Sequence, residues 1–146
     1  MNPAYRIPVG KFPLVTRAFT SQETAVNVPI TEMVVNSLIT NLEEGQRVPA
    51  GSNLAVRGIA WDGGYGIAEV GVSIDNGMTW KPAQLGDDMG RFSWRQWTFQ
   101  FAPAGGAVNI MVRARNNAGQ TQVDKLLFNG AGYHNNVIQK LSLTAA

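Results

Sequence analysis

Cysteine is absent from this chain and histidine occurs once. The first absence excludes disulfides, thiolate metal ligands and a cysteine nucleophile together, without fixing the compartment. The second excludes a multi-histidine metal site and leaves His134, in the turn Gly132-Tyr133-His134-Asn135-Asn136, as a hydrogen-bonding loop residue. Charge is scarce as well: Asp, Glu, Lys and Arg make up 15% of the residues, with a net of +2. The twelve Lys and Arg are scattered from Arg6 to Lys140 with no basic run, so no nucleic-acid footprint is expected. No stretch nears the roughly 20 apolar residues that a membrane helix needs, and the first residues have no apolar core of signal-peptide type. The expectation is a soluble chain that carries no targeting signal.

What is present is a packed globule's worth of apolar residues, 45% of 146, enough for one domain and too few for two. Residues 1–31 hold four of the seven prolines and follow neither the helical nor the strand period, so they read as an extended arm. Tyr5, Ile7, Phe12, Leu14, Val15 and Phe19 make that arm too apolar for a flexible linker. From residue 32 to 146, short alternating segments separated by turn residues predict an all-β sandwich of about seven strands, near 33–40, 54–61, 67–75, 79–85, 94–102, 107–115 and 136–143. No long amphipathic helix is expected. Val70, Val72 and Ile74 should share a buried face, as should Val108, Ile110, Val112 and Ala114, and Trp97, Phe99 and Phe101, with Asn109, Met111, Arg113 and Arg115, and Gln96, Thr98 and Gln100, on the opposite faces. Asn76-Gly77 is expected to take positive φ in a tight turn that sends Met78, Thr79 and Trp80 back antiparallel. Core packing between two sheets accounts for most of Trp61, Trp80, Trp94 and Trp97.

A search for catalysis returns little. Asp87-Asp88 lies between glycines with no third acidic ligand near, so it reads as a solvated turn. Asp62-Gly63-Gly64-Tyr65-Gly66 is rich enough in glycine to cradle an anion, but it joins two strands and opens no helix, which makes a phosphate site a weak reading. Ser37, Ser52, Ser73, Ser93 and Ser142 stand in no nucleophile-elbow context. The residues alone point to a binding or assembly module, with no catalytic residue and no metal site.

The run GIAWDGGYGIAEVGVSIDNGMTWKPAQL, then FSWRQWTFQF, IMVRARNNAGQTQ and FNGAGYHNNVIQKLSL, resembles in order and spacing the C-terminal dimerisation domain of the sulfite oxidase family of molybdenum enzymes. The resemblance covers about residues 30–143. It implies an immunoglobulin-like β-sandwich that follows a catalytic domain binding molybdopterin. NPAYRIP at Asn2–Pro8 looks like the closing segment of that catalytic domain, which makes Met1 readable as an internal methionine. In the family a cysteine of the catalytic domain binds the molybdenum. With no cysteine here, no cofactor is expected in this chain, and the chain alone should not oxidise sulfite. The resemblance further implies that an arginine near the C-terminus completes the sulfite pocket, and Lys140 takes its place here. Lysine keeps the charge and loses the two-pronged donor. Arg113 and Arg115 are weaker candidates for anion contact, while Arg57 is expected to lay its stem across the sheet.

Two readings follow. In the first, the chain is the assembly domain or small subunit of a sulfite oxidase-like or sulfite dehydrogenase-like oxidoreductase. Its partners are then a catalytic molybdenum-bearing chain and a second copy across a two-fold axis, met through a polar-uncharged face of Gln, Thr, Met and Asn. By resemblance to bacterial relatives it acts in the periplasm. In the second, it is an independent immunoglobulin-like module that binds carbohydrate or peptide on Trp61, Tyr65 and Trp94.

Overall fold

The computed structural model describes residues 32–126 and 134–146. The expected arm, 1–31, and the FNGAGY part of the last matching block lie outside the described residues. Nine strands form among the described residues: β1 Asn36–Ile39, β2 Arg47–Val48, β3 Leu54–Trp61, β4 Ile67–Ser73, β5 Lys81–Pro82, β6 Gln84–Leu85, β7 Arg95–Phe101, β8 Gly106–Asn116 and β9 Gln139–Ala145. They make a four-stranded sheet in the order β1-β3-β7-β6 and a five-stranded sheet in the order β2-β9-β8-β4-β5. This is an all-β two-sheet arrangement consistent with the immunoglobulin-like sandwich expected above.

Alternation decides which side chains enter the space between the sheets. Val108, Ile110, Val112 and Ala114 of β8, Val70 and Val72 of β4 and Leu141 and Leu143 of β9 are buried there. Val56, Ala60 and Trp97 are buried from the opposite sheet, and Phe99 and Phe101 pack on them partly covered. Each fully buried aliphatic side chain contributes about 1.5–3 kcal/mol of transfer free energy, so these two rows supply most of the driving force. Polar side chains tie β1 across the layers where ladder bonds are missing. Gln122 is buried; its Oε1 accepts from Ser37 Oγ at 2.6 Å and from the Ala114 N–H at 2.9 Å, and its Nε2 donates to Asn36 Oδ1 at 2.8 Å. Gln139 Oε1 accepts from the Ile39 N–H at 2.7 Å.

Four expectations are corrected. The segment 79–85 is two strands in different sheets: Lys81–Pro82 pairs with Gly71 and Val72, while Gln84–Leu85 pairs with Thr98 and Trp97. Proline cannot donate to a ladder and is confined to edges, so the strand leaves the five-stranded sheet at Pro82 and joins the four-stranded sheet after Ala83. Ile74 is exposed rather than buried, because β4 ends at Ser73 and Ile74 belongs to the turn. Met111, on the outward row of β8, is buried because that turn folds over it, with Gly77 against its Sδ and Cε. Of the four tryptophans only Trp97 lies in the core. Trp94 is 63% exposed, and Trp80 lies outside the five-stranded sheet against Gly71. The short β2, parallel to β9 at Arg47↔Thr144 and Val48↔Ala145, was not expected, since two residues show no period.

The turn at Asn76-Gly77 has the expected positive φ, 59° and 85°. Asp75 organises it. Its Oδ1 accepts from the Thr79 N–H at 2.9 Å and from Ser73 Oγ at 2.7 Å, and its Oδ2 accepts from Thr79 Oγ1 at 2.5 Å. The Thr79 bonds are the main cause of a carboxyl pKa lowered from 3.8 to about 2. A depressed folded pKa means that the stabilisation is present above the ordinary value and is lost as pH falls from 3.8 toward 2. The stability difference between the native chain and Asp75→Ala should therefore hold from pH 7 to about 5 and shrink between pH 4 and 2. Urea midpoints measured across that range test it, and a difference that stays constant to pH 2 would refute it.

Candidate assembly surfaces

Strand polarity puts four chain segments at one end of the sandwich. β3 ends there and β4 begins there, Arg95 opens β7 opposite Ala60, Asn116 closes β8 opposite Ile67, and Asn36 opens β1 opposite Trp61. The loops 62–66 and 86–94, the residues that follow Asn116 and the approach to β1 thus share this end. The loop 62–66 is built on Asp62, which is buried. Its Oδ1 accepts from the N–H groups of Gly64 and Gly66 at 3.0 and 3.2 Å, and its Oδ2 accepts from the Tyr65 N–H at 3.1 Å and from Asn116 Nδ2 at 3.0 Å. The loop is a cradle of backbone donors, as its glycines suggested, but the anion it holds is its own aspartate.

The neighbouring segments lean on this loop. A Cβ on Gly63 would sit 2.9 Å from the Met33 carbonyl oxygen, and one on Gly64 would sit 2.5 Å from the Phe92 ring and 2.9 Å from Arg91 Nε. Arg91 in turn lies over the Phe92 ring, 4.8 Å from its centroid. The described residues therefore begin, at Glu32 and Met33, at this end. Five of the nine large apolar side chains that are exposed among the described residues, Met33, Tyr65, Met89, Phe92 and Trp94, stand on these segments. A monomer rarely leaves such a group uncovered.

The outer faces of the two sheets differ. On the five-stranded sheet, Lys140 pairs with Met111, and Arg113 and Arg115 follow on the same row of β8. The three sequence-predicted cations therefore share one face, Lys140 and Arg113 being diagonal neighbours about 7–8 Å apart in the backbone. Arg113 lies over the Trp80 ring, 4.3 Å from its centroid, and Arg115 bonds Glu69 at 3.0 Å. Lys140 is exposed. On the four-stranded sheet the outward row of β7 is Gln96, Thr98 and Gln100, all exposed, facing Ile59, Arg57 and Ala55 of β3.

This architecture coincides with a match in sequence: the Mo-co oxidoreductase dimerisation domain aligns with residues 27–145. The chain belongs to that family. Among curated proteins, the dimerisation domain is 35% identical over 102 residues to mitochondrial sulfite oxidase of Macaca fascicularis, covering 65% of this chain and 18% of that protein. It is 36% identical over 103 residues to sulfite oxidase of Gallus gallus, covering 66% and 22%, and 32% identical over 124 residues to nitrate reductase [NADH] 1 of Phaseolus vulgaris, covering 73% and 14%. Among solved structures, the sulfane dehydrogenase SoxCD from Paracoccus pantotrophus matches with a TM-score of 0.66 at 26% identity, over 75% of this chain and 30% of that one. The chain thus spans about a fifth of the sulfite oxidases it matches.

The dimerisation domain has no cysteine, and no group of three or more His, Cys, Asp or Glu gathers among the described residues. Asp87 and Asp88 are exposed, and Asp88 Oδ1 accepts from the Gly90 N–H at 2.9 Å. No helix of the described residues is long and apolar enough to cross a membrane. The sequence reading missed Met33, Met89 and Phe92 as surface-forming residues. The signal for Met89 and Phe92 was present in LGDDMGRFSW, where apolar residues stand among glycines and charges with no alternation to bury them. Trp61 and Trp94, two of the three residues of the recognition-module reading, flank the uncharged sheet face, and Tyr65 sits in the Asp62 loop.

Proposed function

We propose that this chain is the assembly domain of a sulfite oxidase-like molybdoenzyme. It pairs with a second copy about a two-fold axis and holds a catalytic chain or domain that carries molybdopterin, within which sulfite undergoes two-electron oxidation. The observation that carries the reading is the coincidence, at one end of the sandwich, of five exposed apolar side chains with Glu32, where the described residues begin. Family membership and the sulfite oxidase relatives support it. The cofactor belongs to the catalytic partner, which supplies the thiolate that this chain lacks. Lys140 is placed as this domain's contribution to the substrate anion, with Arg113 and Arg115 behind it because each already has a partner. The setting proposed is the periplasm.

Native mass spectrometry of material purified from its source tests the assembly. The expected result is a complex with two copies of the 15.8 kDa chain and a molybdenum-bearing chain. A lone 15.8 kDa monomer that does not associate at high concentration would overturn it. In the assembled enzyme, Lys140→Ala should raise KM for sulfite about tenfold, the loss expected for one charge-assisted contact, with assembly intact. An unchanged KM would remove Lys140 from the pocket.

A further inference from the structure

We infer that the two-fold axis passes through the outer face of the four-stranded sheet, β1-β3-β7-β6, and that a second copy of this chain is its occupant. The inference rests on the assembly reading above and adds which of the two sheets self-associates. Its first ground is charge. The outward rows of the five-stranded sheet carry Arg47, Glu69, Arg113, Arg115 and Lys140, while those of the four-stranded sheet carry Arg57 alone. A two-fold axis makes a contact isologous, so a residue near the axis meets its own counterpart. Four cations against one carboxylate, laid upon themselves, repel, and like charges in direct opposition are destabilising. Glutamine and threonine have no such conflict, since each is donor and acceptor and can bond its own symmetry mate.

The second ground is relief. Three hollows follow the β6–β7 margin of this sheet. The first, of about 310 Å³, is lined by Asp87, Met89, Trp94 and Gln96. One of about 250 Å³ is lined by Pro82, Gln84, Thr98, Phe99 and Gln100. The last, of about 160 Å³, lies around Gln84, Leu85, Gly86, Gln96, Trp97 and Thr98. They exist because β6 is only two residues long and leaves part of β7 without a neighbour. Concave sites of this kind receive the side chains that anchor a partner. Leu38 and Trp94, 40% and 63% exposed, supply apolar side chains on the same face.

The third ground is area. The 21 residues of these four strands, at about 3.3 Å each along strands about 4.8 Å apart, give a flat footprint of roughly 330 Å². A standard interface buries about 800 Å² per partner. The sheet face alone therefore falls short, and the Trp94 and Met89 rim must join it. The contact is consequently continuous with the apolar end of the sandwich.

Sedimentation equilibrium on the full chain tests the inference with three proteins: the native chain, Thr98→Arg at the middle of the uncharged face, and Ser142→Arg on the opposite sheet. The expected result is a dimer whose dissociation constant rises about tenfold or more in Thr98→Arg and stays within about twofold in Ser142→Arg. Gln96→Lys, exposed on the same row, replaces Thr98→Arg if thermal unfolding shows that the latter does not fold. A native dimer that is insensitive to both face variants, or one that is disrupted by Ser142→Arg, would overturn this choice of face and leave the assembly reading standing. A native chain that is monomeric throughout the accessible range would overturn that reading and this inference with it.

Discussion

Gly58→Ala should lower the unfolding temperature by roughly 10 °C, the largest effect expected of any single methyl group added to this chain. Gly58 pairs with Ile39 on one side and Trp97 on the other. A Cβ there would lie 2.6 Å from Trp97 Cε2, and closer still to Trp97 Cζ2 and to the Leu38 carbonyl oxygen. Both groups are hard to move. The carbonyl belongs to the β1 backbone, and the indole is the largest fully buried side chain described. Trp97 Nε1 has no hydrogen-bond partner among the described residues, so the ring is held by shape alone and has no polar tether to pivot about. Overpacking of a well-filled core costs about 1–3 kcal/mol and sometimes more; a clash with backbone puts this case at about 3 kcal/mol. At about 2–4 °C per kcal/mol for a chain of this size, the shift follows. Gly105→Ala is the control, since its Cβ would meet nothing within 4 Å. Scanning calorimetry of both decides the matter: a Gly58→Ala shift no larger than that of Gly105→Ala would show that β1 gives way easily.

Asp62→Ala should cost about 3–5 kcal/mol, since it strips the acceptor from three backbone N–H groups and from Asn116 Nδ2 at once, and buried donors left unmade cost about 1–3 kcal/mol each before solvent recovers part of the loss. The consequences should be local first. Amide exchange of Gly64, Tyr65 and Gly66 should quicken, and Phe92, which rests on Gly64, should lose its seat. Asn116→Ala removes a donor that also bonds Gln120 Oε1 at 2.8 Å, so the two losses overlap. The double variant should be less destabilised than the sum of the singles by about 1 kcal/mol. Urea unfolding of the four proteins measures the cycle, and strict additivity would mean that Asp62 and Asn116 are not one unit.

These two residues mark where sequence reading stops. The long strands were legible because two-residue alternation depends on nothing beyond the strand: 54–61 was read with both ends correct, and the buried rows of β7 and β8 were named from it. Asn76-Gly77 was legible because positive φ is a property of those residues. Gly58 gave no sign, since its need arises from a tryptophan 39 positions away, and a glycine inside a strand pattern reads as neutral. Asp62 was seen as part of an anion cradle but not as the anion, because which carboxylate fills a ring of N–H groups depends on loop closure. The division of 79–85 between sheets and the parallel pairing of β2 are likewise products of the second layer, visible only once the sheets have faces. For the candidate site, the cations were proposed from the family resemblance and the uncharged row from composition. Which sheet each lay on came from register.

The pairing of β2 with β9 has a mechanical consequence. The described residues begin at the loop end beside β1 and end on β9 at the opposite end, with Ala145 beside Gly106. Tension applied between those two ends would run along the strands. The bonds Gly45 N–H to Ser142 O, Thr144 N–H to Gln46 O, Ala146 N–H to Val48 O and Ala50 N–H to Ala146 O bridge two parallel segments across that line of force. Such a load shears all four together rather than peeling them one by one. A strand pair of two residues thus serves as a clamp, resisting pull where it would resist little on thermodynamic grounds alone.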